Sequence, residues 1–194
     1  WANIVWTRSS GNNYLFVDGT QVTTASDSFD ATGDGVWMGA NYYDNYNAGN
    51  GRYFAKGYID ELRVTKGVAR HTSNFTPQTR EFYPGTSFDD ITSNNYSTFV
   101  NGPTLVTSSP KHYDFNGSSD KIDLLTTDIS NWGSTSFTYI FWVNFDSTSG
   151  IYRTIFSNFV TGTTGIRIGL ANGNIESYLP GGGTITTATT PNTG

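Results

Sequence analysis

Period-two alternation of apolar residues over residues 137–145 constrains the fold of this chain more than any other feature. Every odd position from Phe137 to Phe145 is apolar, and Ile140 and Trp142 add apolar side chains on the other face. Because successive side chains of a strand point to opposite faces, the pattern predicts a strand that is buried on both faces. Such a strand belongs in the middle of a sheet.

Turn residues separate several further short strands. The dipeptides Asp18-Gly19 and Asn172-Gly173 favour tight hairpin turns, because these residues adopt positive φ readily. A polar segment over residues 116–120 predicts one more hairpin. The strands joined in this way are residues 3–8 with 14–17, 14–17 with 21–22, 166–170 with 175–179, and 112–115 with 121–124. The sequence therefore predicts an all-β fold, an antiparallel two-sheet sandwich that forms one domain over residues 1–194.

Composition excludes several classes of function. A net charge of −5 without a cluster of Lys or Arg argues against a nucleic-acid partner. The absence of cysteine removes disulfides, thiolate catalysis and cysteine–zinc sites. No apolar run approaches the roughly 18 residues that span a membrane, so membrane insertion is not expected. Aromatic residues make up 15% of the chain, which indicates a large core rather than disorder.

Residues 57–77 read GYIDELRVTKGVARHTSNFTP and resemble the closing strand and tail of concanavalin A-like, laminin-G-like domains. The form they resemble is common in bacteriophage tail and virion proteins. Residues 113–122, followed by 137–145, resemble the opening half of the same family, and residues 1–19 and 37–39 extend the resemblance. The resemblance implies a jelly-roll sandwich, a fold that hosts lectins, glycosidases and structural modules alike.

The two halves stand in reverse order relative to that family. The closing half occupies residues 1–85, the opening half occupies 111–194, and residues 86–110 are expected to be the linker between them. Three explanations of this reversed order stay open. The chain is a circular permutant, an out-of-frame piece of a tandem array, or a processed or swapped chain. The start at Trp1 likewise suggests a processed, excised or rearranged piece. For a closed permutant we expect Trp1 and Gly194 to lie within about 10 Å.

The loop at residues 41–53 is the sharpest candidate binding site. Tyrosine rings stack on sugar rings, while amide and carboxylate side chains bond sugar hydroxyls. The same composition also suits a self-packed loop or a protein–protein contact, so these readings stay open. The candidate glycan-binding residues are Tyr42, Tyr43, Asp44, Asn45, Tyr46, Asn47, Arg52 and Tyr53.

Calcium is the one candidate cofactor. Many members of the family bind it through loop aspartates and backbone carbonyls, and Asp30, Asp34 and Asp44 supply such hard oxygen donors here. The loops that carry these aspartates, residues 30–35 and 44–47, do not have the EF-hand spacing. Loops rich in Asp, Gly and Asn commonly serve only to turn the chain. Both readings stay open.

The chemistry-bearing residues argue against an enzyme. Laminarinase-type relatives cleave glucans with two glutamates on one strand, whereas this chain has only Glu61, Glu81 and Glu176, which belong to separate segments. The two histidines, His71 and His112, are also far apart in sequence, and no Gly-x-Ser-x-Gly motif supplies a nucleophile for them. We expect both histidines to be ordinary polar residues.

The adjacent carboxylates Asp60 and Glu61 cannot act together on one atom, because neighbours on a strand point to opposite faces. In a regular strand Asp60 shares its face with Leu62 and Val64. This parity predicts that Asp60 is an inward, structural carboxylate that hydrogen-bonds to backbone or to a loop.

These observations predict a non-catalytic structural or adhesion module with glycan affinity, as part of a bacteriophage virion or tail protein. Its expected partners are glycans or cell-surface polysaccharide, other virion proteins and copies of itself, and its expected location is the virion or the extracellular space. The first alternative is a secreted or cell-surface bacterial carbohydrate-binding module. The second alternative is a glycoside hydrolase.

Overall fold

A computed structural model describes residues 1–26, 31–32, 36–41, 53–78, 96–108, 112–125, 131–147, 152–158, 165–179 and 183–187. These residues form sixteen strands and no helix. In chain order the strands are β1 (Ala2–Ser9), β2 (Asn12–Val17), β3 (Thr20–Ser26), β4 (Ala31–Thr32), β5 (Trp37–Met38), β6 (Lys56–Lys66), β7 (Tyr96–Val100), β8 (Thr104–Val106), β9 (His112–Asn116), β10 (Lys121–Leu125), β11 (Asn131–Gly133), β12 (Phe137–Phe145), β13 (Arg153–Ser157), β14 (Arg167–Ala171), β15 (Asn174–Leu179) and β16 (Gly183–Thr186).

The strands build a sandwich of two seven-stranded antiparallel sheets, as the sequence predicts. Sheet I has the order β3-β2-β1-β12-β6-β9-β8, and sheet II has the order β16-β15-β14-β13-β5-β10-β7. Strands β4 and β11 form a separate two-stranded sheet. The fold class is therefore all-β, with the core between sheets I and II.

Strand β12 is the middle strand of sheet I, and the prediction from its alternation is confirmed. Its odd residues from Phe137 to Phe145 are at most 2% exposed and lie in the main core. Ile140 is 6% exposed and packs on the outer face with Val5 and Phe16. This strand thus carries apolar contacts on both sides of the sheet, which stabilise it by about 1.5–3 kcal/mol for each large side chain.

Both parts of the chain contribute to the same core. Ile4 and Trp6 of β1 belong to one buried cluster together with Phe141 of β12 and Ile168 of β14. Strand β1 pairs with β12 over seven residues, from Ala2 opposite Val143 to Arg8 opposite Phe137. The expected proximity of Trp1 and Gly194 concerns a residue, Gly194, that lies outside the described part of the chain.

Three of the four predicted hairpins are confirmed, because β1 pairs with β2, β2 with β3, and β14 with β15. Asp18 and Gly19 have φ of 49° and 76° and join β2 to β3, and Asn172 and Gly173 have φ of 50° and 86° and join β14 to β15. Two consecutive residues with positive φ give the turn twist that suits a two-residue hairpin.

The fourth hairpin prediction, residues 112–115 with 121–124, is wrong, because β9 lies in sheet I and β10 lies in sheet II. The intervening loop is organised by Asn116, whose Oδ1 accepts hydrogen bonds from the backbone N–H groups of Ser118 at 2.8 Å and Ser119 at 3.0 Å. Asp120 Oδ2 in turn accepts a bond from the N–H of Asn116 at 3.0 Å. These side-chain bonds satisfy the backbone without strand pairing, so the chain passes from one sheet to the other.

The stretch 86–110, expected to be a linker, contains two edge strands. Strand β7 pairs with β10 at the edge of sheet II, and β8 pairs with β9 at the edge of sheet I. Part of this polar, Ser- and Asn-rich stretch therefore completes the sandwich instead of only connecting its halves.

A β-bulge in β6 overturns the predicted orientation of Asp60. Opposite Phe141 of β12, strand β6 places two residues, Glu61 and Leu62, and Glu61 has a φ of 52°. The extra residue reverses the alternation, so that Leu62 packs on the core while Asp60 pairs with Trp142 on the outer face. Asp60 is half-buried there, and its Oδ1 accepts a hydrogen bond from the Glu61 N–H at 2.8 Å.

Candidate functional site

The outer face of sheet II carries a row of polar and aromatic side chains. On each of its strands the residue next to a core residue points away from the core. The strand register aligns five of these residues across five neighbouring strands. In strand order they are Asp123 (β10), Trp37 (β5), Ser157 (β13), Arg167 (β14) and Tyr178 (β15).

The middle of this row is covered, and its two ends are partly exposed. Trp37 is 6% exposed, and Ser157 is fully buried with its hydroxyl bonded to Asn41 Oδ1 at 2.7 Å. Arg167 and Tyr178 at one end are only half-buried. The side chains of Arg167 and of Glu176 beside it are 14% and 13% exposed, so this part of the row keeps some contact with solvent.

Three tyrosines surround the Arg167 guanidinium near the Tyr178 end of the row. Its Cζ lies 4.9 Å from the ring centre of Tyr152, 5.6 Å from that of Tyr178 and 5.8 Å from that of Tyr53. These distances are in the range of cation–π attraction. Glu176 accepts a hydrogen bond from Arg167 Nη2 and balances its charge. We call these five residues the tyrosine cluster; it is neutral overall, and its tyrosine rings are all half-buried.

Tyr53 is held in the tyrosine cluster in a strained conformation. Its φ of 55° lies in the left-handed region, which costs a residue with a Cβ about 1–2 kcal/mol. The Thr154 N–H donates to the Tyr53 carbonyl at 2.7 Å, and an Arg153 guanidinium N–H donates to the Phe54 carbonyl at 3.2 Å. The ring meets that of Tyr152 edge-on at 5.2 Å. Strain that persists under such contacts is typical of binding sites, because it fixes a side chain in advance.

A lysine packs on the tryptophan ring near the Asp123 end of the row. The Lys121 ammonium lies 3.3 Å from the centre of the Trp37 ring. Burial lowers the pKa of Lys121, and Asp123 opposes that change. Burial also raises the pKa of Asp123, against the effects of Lys121 and of a hydrogen bond from Trp37. The two opposite charges stabilise each other at this end of the face.

Of the predicted glycan-binding residues, the described part of the chain contains Tyr53 alone, and the structure places it in the tyrosine cluster. The other candidates lie outside the described residues: Tyr42, Tyr43, Asp44, Asn45, Tyr46, Asn47 and Arg52. The calcium candidates Asp30, Asp34 and Asp44 lie outside it as well. Among the residues that are described, no group of three or more His, Asp or Glu side chains could hold a metal ion.

The histidines make ring contacts in two different places. His71 stacks on Phe75 with ring centres 3.7 Å apart and an interplanar angle of 19°. His112 meets Trp1 at 5.4 Å and Tyr58 at 4.7 Å, in both cases edge-on.

Comparisons of this chain with family models, curated proteins and solved structures found no match. The described residues also include no helix with the length and apolar character needed to cross a membrane.

Proposed function

We propose that this protein is a non-catalytic adhesion module that binds glycans and forms part of a bacteriophage virion or tail protein. The tyrosine cluster is the observation that carries the glycan-binding part. It presents three partly exposed tyrosine rings around one guanidinium on the outer face of sheet II.

The chemistry of the tyrosine cluster suits a neutral sugar. The C–H face of a sugar ring packs on an aromatic ring, and a tyrosine hydroxyl both donates and accepts hydrogen bonds. The ion pair between Arg167 and Glu176 holds the guanidinium in place and leaves no net charge to be compensated by a ligand. Because the rings are already fixed by each other and by the backbone of β13, little conformational entropy is lost on binding.

Among the described residues, the spacing of the carboxylates on this face supports a non-catalytic role. Asp123 of β10 and Glu176 of β15 belong to strands four positions apart in sheet II. With about 4.8 Å between neighbouring strands, they are separated by roughly 19 Å. Glycosidases place their two carboxyl groups between about 5 and 9.5 Å apart, so this pair is unsuited to glycoside hydrolysis.

The virion assignment rests on the resemblance of residues 57–77, 113–122 and 137–145 to phage laminin-G-like domains. A secreted or cell-surface bacterial carbohydrate-binding module is the alternative, and it uses the same tyrosine cluster. Self-association distinguishes the two: a virion component is expected to assemble with copies of itself or with a capsid protein. Light scattering of the purified chain, alone and with candidate capsid proteins, measures this difference.

Glycan binding is tested by replacing Tyr152, which lies nearest to Arg167. We expect Tyr152→Ala to weaken binding to a neutral polysaccharide, identified on a glycan array, by about tenfold, because one stacking surface is lost. Tyr58→Ala is the matched control, since Tyr58 is a half-buried tyrosine on the outer face of sheet I. Affinity electrophoresis of both variants against the parent protein gives the comparison.

Two results would contradict this proposal. The first is equal weakening by Tyr152→Ala and Tyr58→Ala, which would place the binding site elsewhere or show a loss of folding. The second is release of reducing sugar from laminarin or agarose by the parent protein, which would favour the glycoside hydrolase.

A further inference from the structure

The segment 67–78, which follows β6, covers part of the outer face of sheet I. The Gly67 N–H donates to the Ser136 carbonyl at 2.7 Å, and the Phe75 N–H donates to the Gly19 carbonyl at 2.9 Å. Between them the Thr138 hydroxyl accepts a bond from the Arg70 N–H at 2.9 Å. The segment is therefore fixed to the sheet at several points along its length.

An apolar layer lies beneath this segment. Val5, Phe16 and Ile140 form a buried cluster on the outer face, separate from the main core. The Phe75 ring packs edge-on against the Phe16 ring, with 5.4 Å between the ring centres. The His71 ring stacks on Phe75, with 3.7 Å between the ring centres. The segment thus packs on a small hydrophobic cluster of its own, separate from the main core.

A pocket of about 520 Å³ remains between the segment and the sheet. This volume is in the range of small-molecule sites. Arg63, Arg70 and His71 line it on the polar side, and Ile140 and Phe75 line it on the apolar side. None of its described lining residues is acidic.

Asn3 gives the pocket an unsatisfied hydrogen-bond acceptor. The side chain lines the pocket and is 1% exposed, and its Oδ1 has no hydrogen-bond partner among the described residues. The Asn3 backbone N–H is already bonded to Asp18 Oδ1 at 2.8 Å. A buried amide oxygen without a donor destabilises the fold, so a ligand hydroxyl that donates to it is favoured.

The charges around the pocket favour an anion. Burial and the nearby Arg63 lower the pKa of Arg70, and burial and Arg70 lower the pKa of His71. Of the described acidic residues near the pocket, Asp18 bonds the Asn3 N–H, and Asp60 lies two strands from Asn3, on the far side of Trp142. Glu61 lies in the bulge, two residues before Arg63. A carboxylate that binds at the Arg63 and Arg70 side of the pocket would accept charge-assisted hydrogen bonds from their guanidinium N–H groups.

We propose that this pocket binds the uronate unit of an acidic sugar. The carboxylate bonds to Arg63 and Arg70, a ring hydroxyl donates to Asn3 Oδ1, and the apolar face of the sugar ring packs on Ile140 and Phe75. The pocket lies on sheet I, opposite the tyrosine cluster on sheet II, so this proposal stands independently of neutral-glycan binding at that cluster.

The test is an NMR titration of the full ¹⁵N-labelled chain with D-glucuronate, its methyl ester, D-glucose and acetate. We expect glucuronate to shift the side-chain amide signals of Asn3 in a saturable manner, while the ester and glucose bind at least about tenfold more weakly. Arg70→Gln is expected to weaken glucuronate binding about fivefold, since Arg70 lies at the exposed rim. Lys56→Gln is the matched control, because it removes the same charge at the opposite end of β6.

The outcomes separate the proposals. Tyr152→Ala should leave the affinity for glucuronate unchanged, whereas Arg70→Gln should weaken it. This combination supports a second site that is distinct from the tyrosine cluster. No saturable shift of the Asn3 amide, or equal effects of Arg70→Gln and Lys56→Gln, would overturn the pocket assignment. Acetate binding as strongly as glucuronate would overturn its assignment to a sugar.

Discussion

Deletion of Glu61 is expected to leave the protein almost as stable as before, although the residue lies within a strand that is interior to its sheet. The register of β6 on β12 is regular on both sides of the bulge, with Arg63 opposite Ile140 and Asp60 opposite Trp142. Without Glu61, Leu62 becomes the one residue opposite Phe141, and both side chains face the core. The deletion therefore converts a bulge into a regular ladder.

The magnitude follows from two opposing effects. Removing a non-glycine residue at φ of 52° relieves about 1–2 kcal/mol of backbone strain. The hydrogen bond from the Glu61 N–H to Asp60 Oδ1 is lost, which costs about 0.5–1.5 kcal/mol. The free energy of unfolding should change by no more than about 1 kcal/mol, or by roughly 2–4 °C in Tm for a chain of this size.

Urea unfolding monitored by tryptophan fluorescence measures this change, and deletion of Leu62 is the control. That deletion leaves Glu61 opposite Phe141, so an apolar side chain is lost from the core and a carboxylate is brought toward it. We expect a loss of about 4 kcal/mol or more. Equal destabilisation by the two deletions would refute the bulge as the reason for the reversed alternation.

Three further predictions concern the outer face of sheet I. Gly19→Ala should lower the free energy of unfolding by about 3 kcal/mol or more, because a Cβ there would lie 2.0 Å from the Phe75 carbonyl oxygen at φ of 76°. Gly67→Ala has a similar φ of 82° and open space, and should cost only about 1 kcal/mol, which guanidinium unfolding of both variants will show. Burial, with a neighbouring arginine, lowers the pKa of His71 below 6.5, so the unfolded chain binds this proton more tightly. Stability from this group is complete above about pH 6.5 and is lost as the pH falls further, and His71→Gln should flatten that part of a stability–pH curve. Asp60→Ala should cost at least about 0.5–1.5 kcal/mol, the value of the bond that its Oδ1 accepts from the Glu61 N–H, and an unchanged melting curve would contradict a structural role for this carboxylate.

The sequence predicted those parts of the fold that depend on local patterns. Alternation located β12 in the middle of a sheet, and two Asx-Gly dipeptides located tight hairpins, because each signal lies within a few adjacent residues. The bulge at Glu61 left no such signal, since a glutamate in a strand gives no indication of positive φ. The crossing between β9 and β10 was missed because the loop at Asn116 has the same residue types as a hairpin turn.

The tyrosine cluster was only partly predictable, for a different reason. Alternation in residues 166–170 does place Arg167 on the outer face. However, Tyr53, Tyr152 and Tyr178 come from distant parts of the chain and meet only through the pairing of β13, β14 and β15 and the bond from Thr154 to Tyr53. Strand order depends on contacts between residues that are far apart in the chain, so the local patterns of a single sequence do not predict it.

The position of β1 between β2 and β12 has a consequence for biosynthesis. The Thr7 hydroxyl of β1 hydrogen-bonds to the Thr138 hydroxyl of β12, which is 131 residues later in the chain. During synthesis, β1 therefore cannot pair with β12 until the ribosome has made the intervening residues. At about 5–20 residues per second, this delay lasts roughly 7–26 s. Throughout that time the β1–β2–β3 meander presents an unpaired edge and an uncovered apolar face, which invites pairing with other nascent chains. Yield in a cell-free translation system should therefore rise when a chaperone that holds exposed strands is added during synthesis, and rise much less when it is added after chain release.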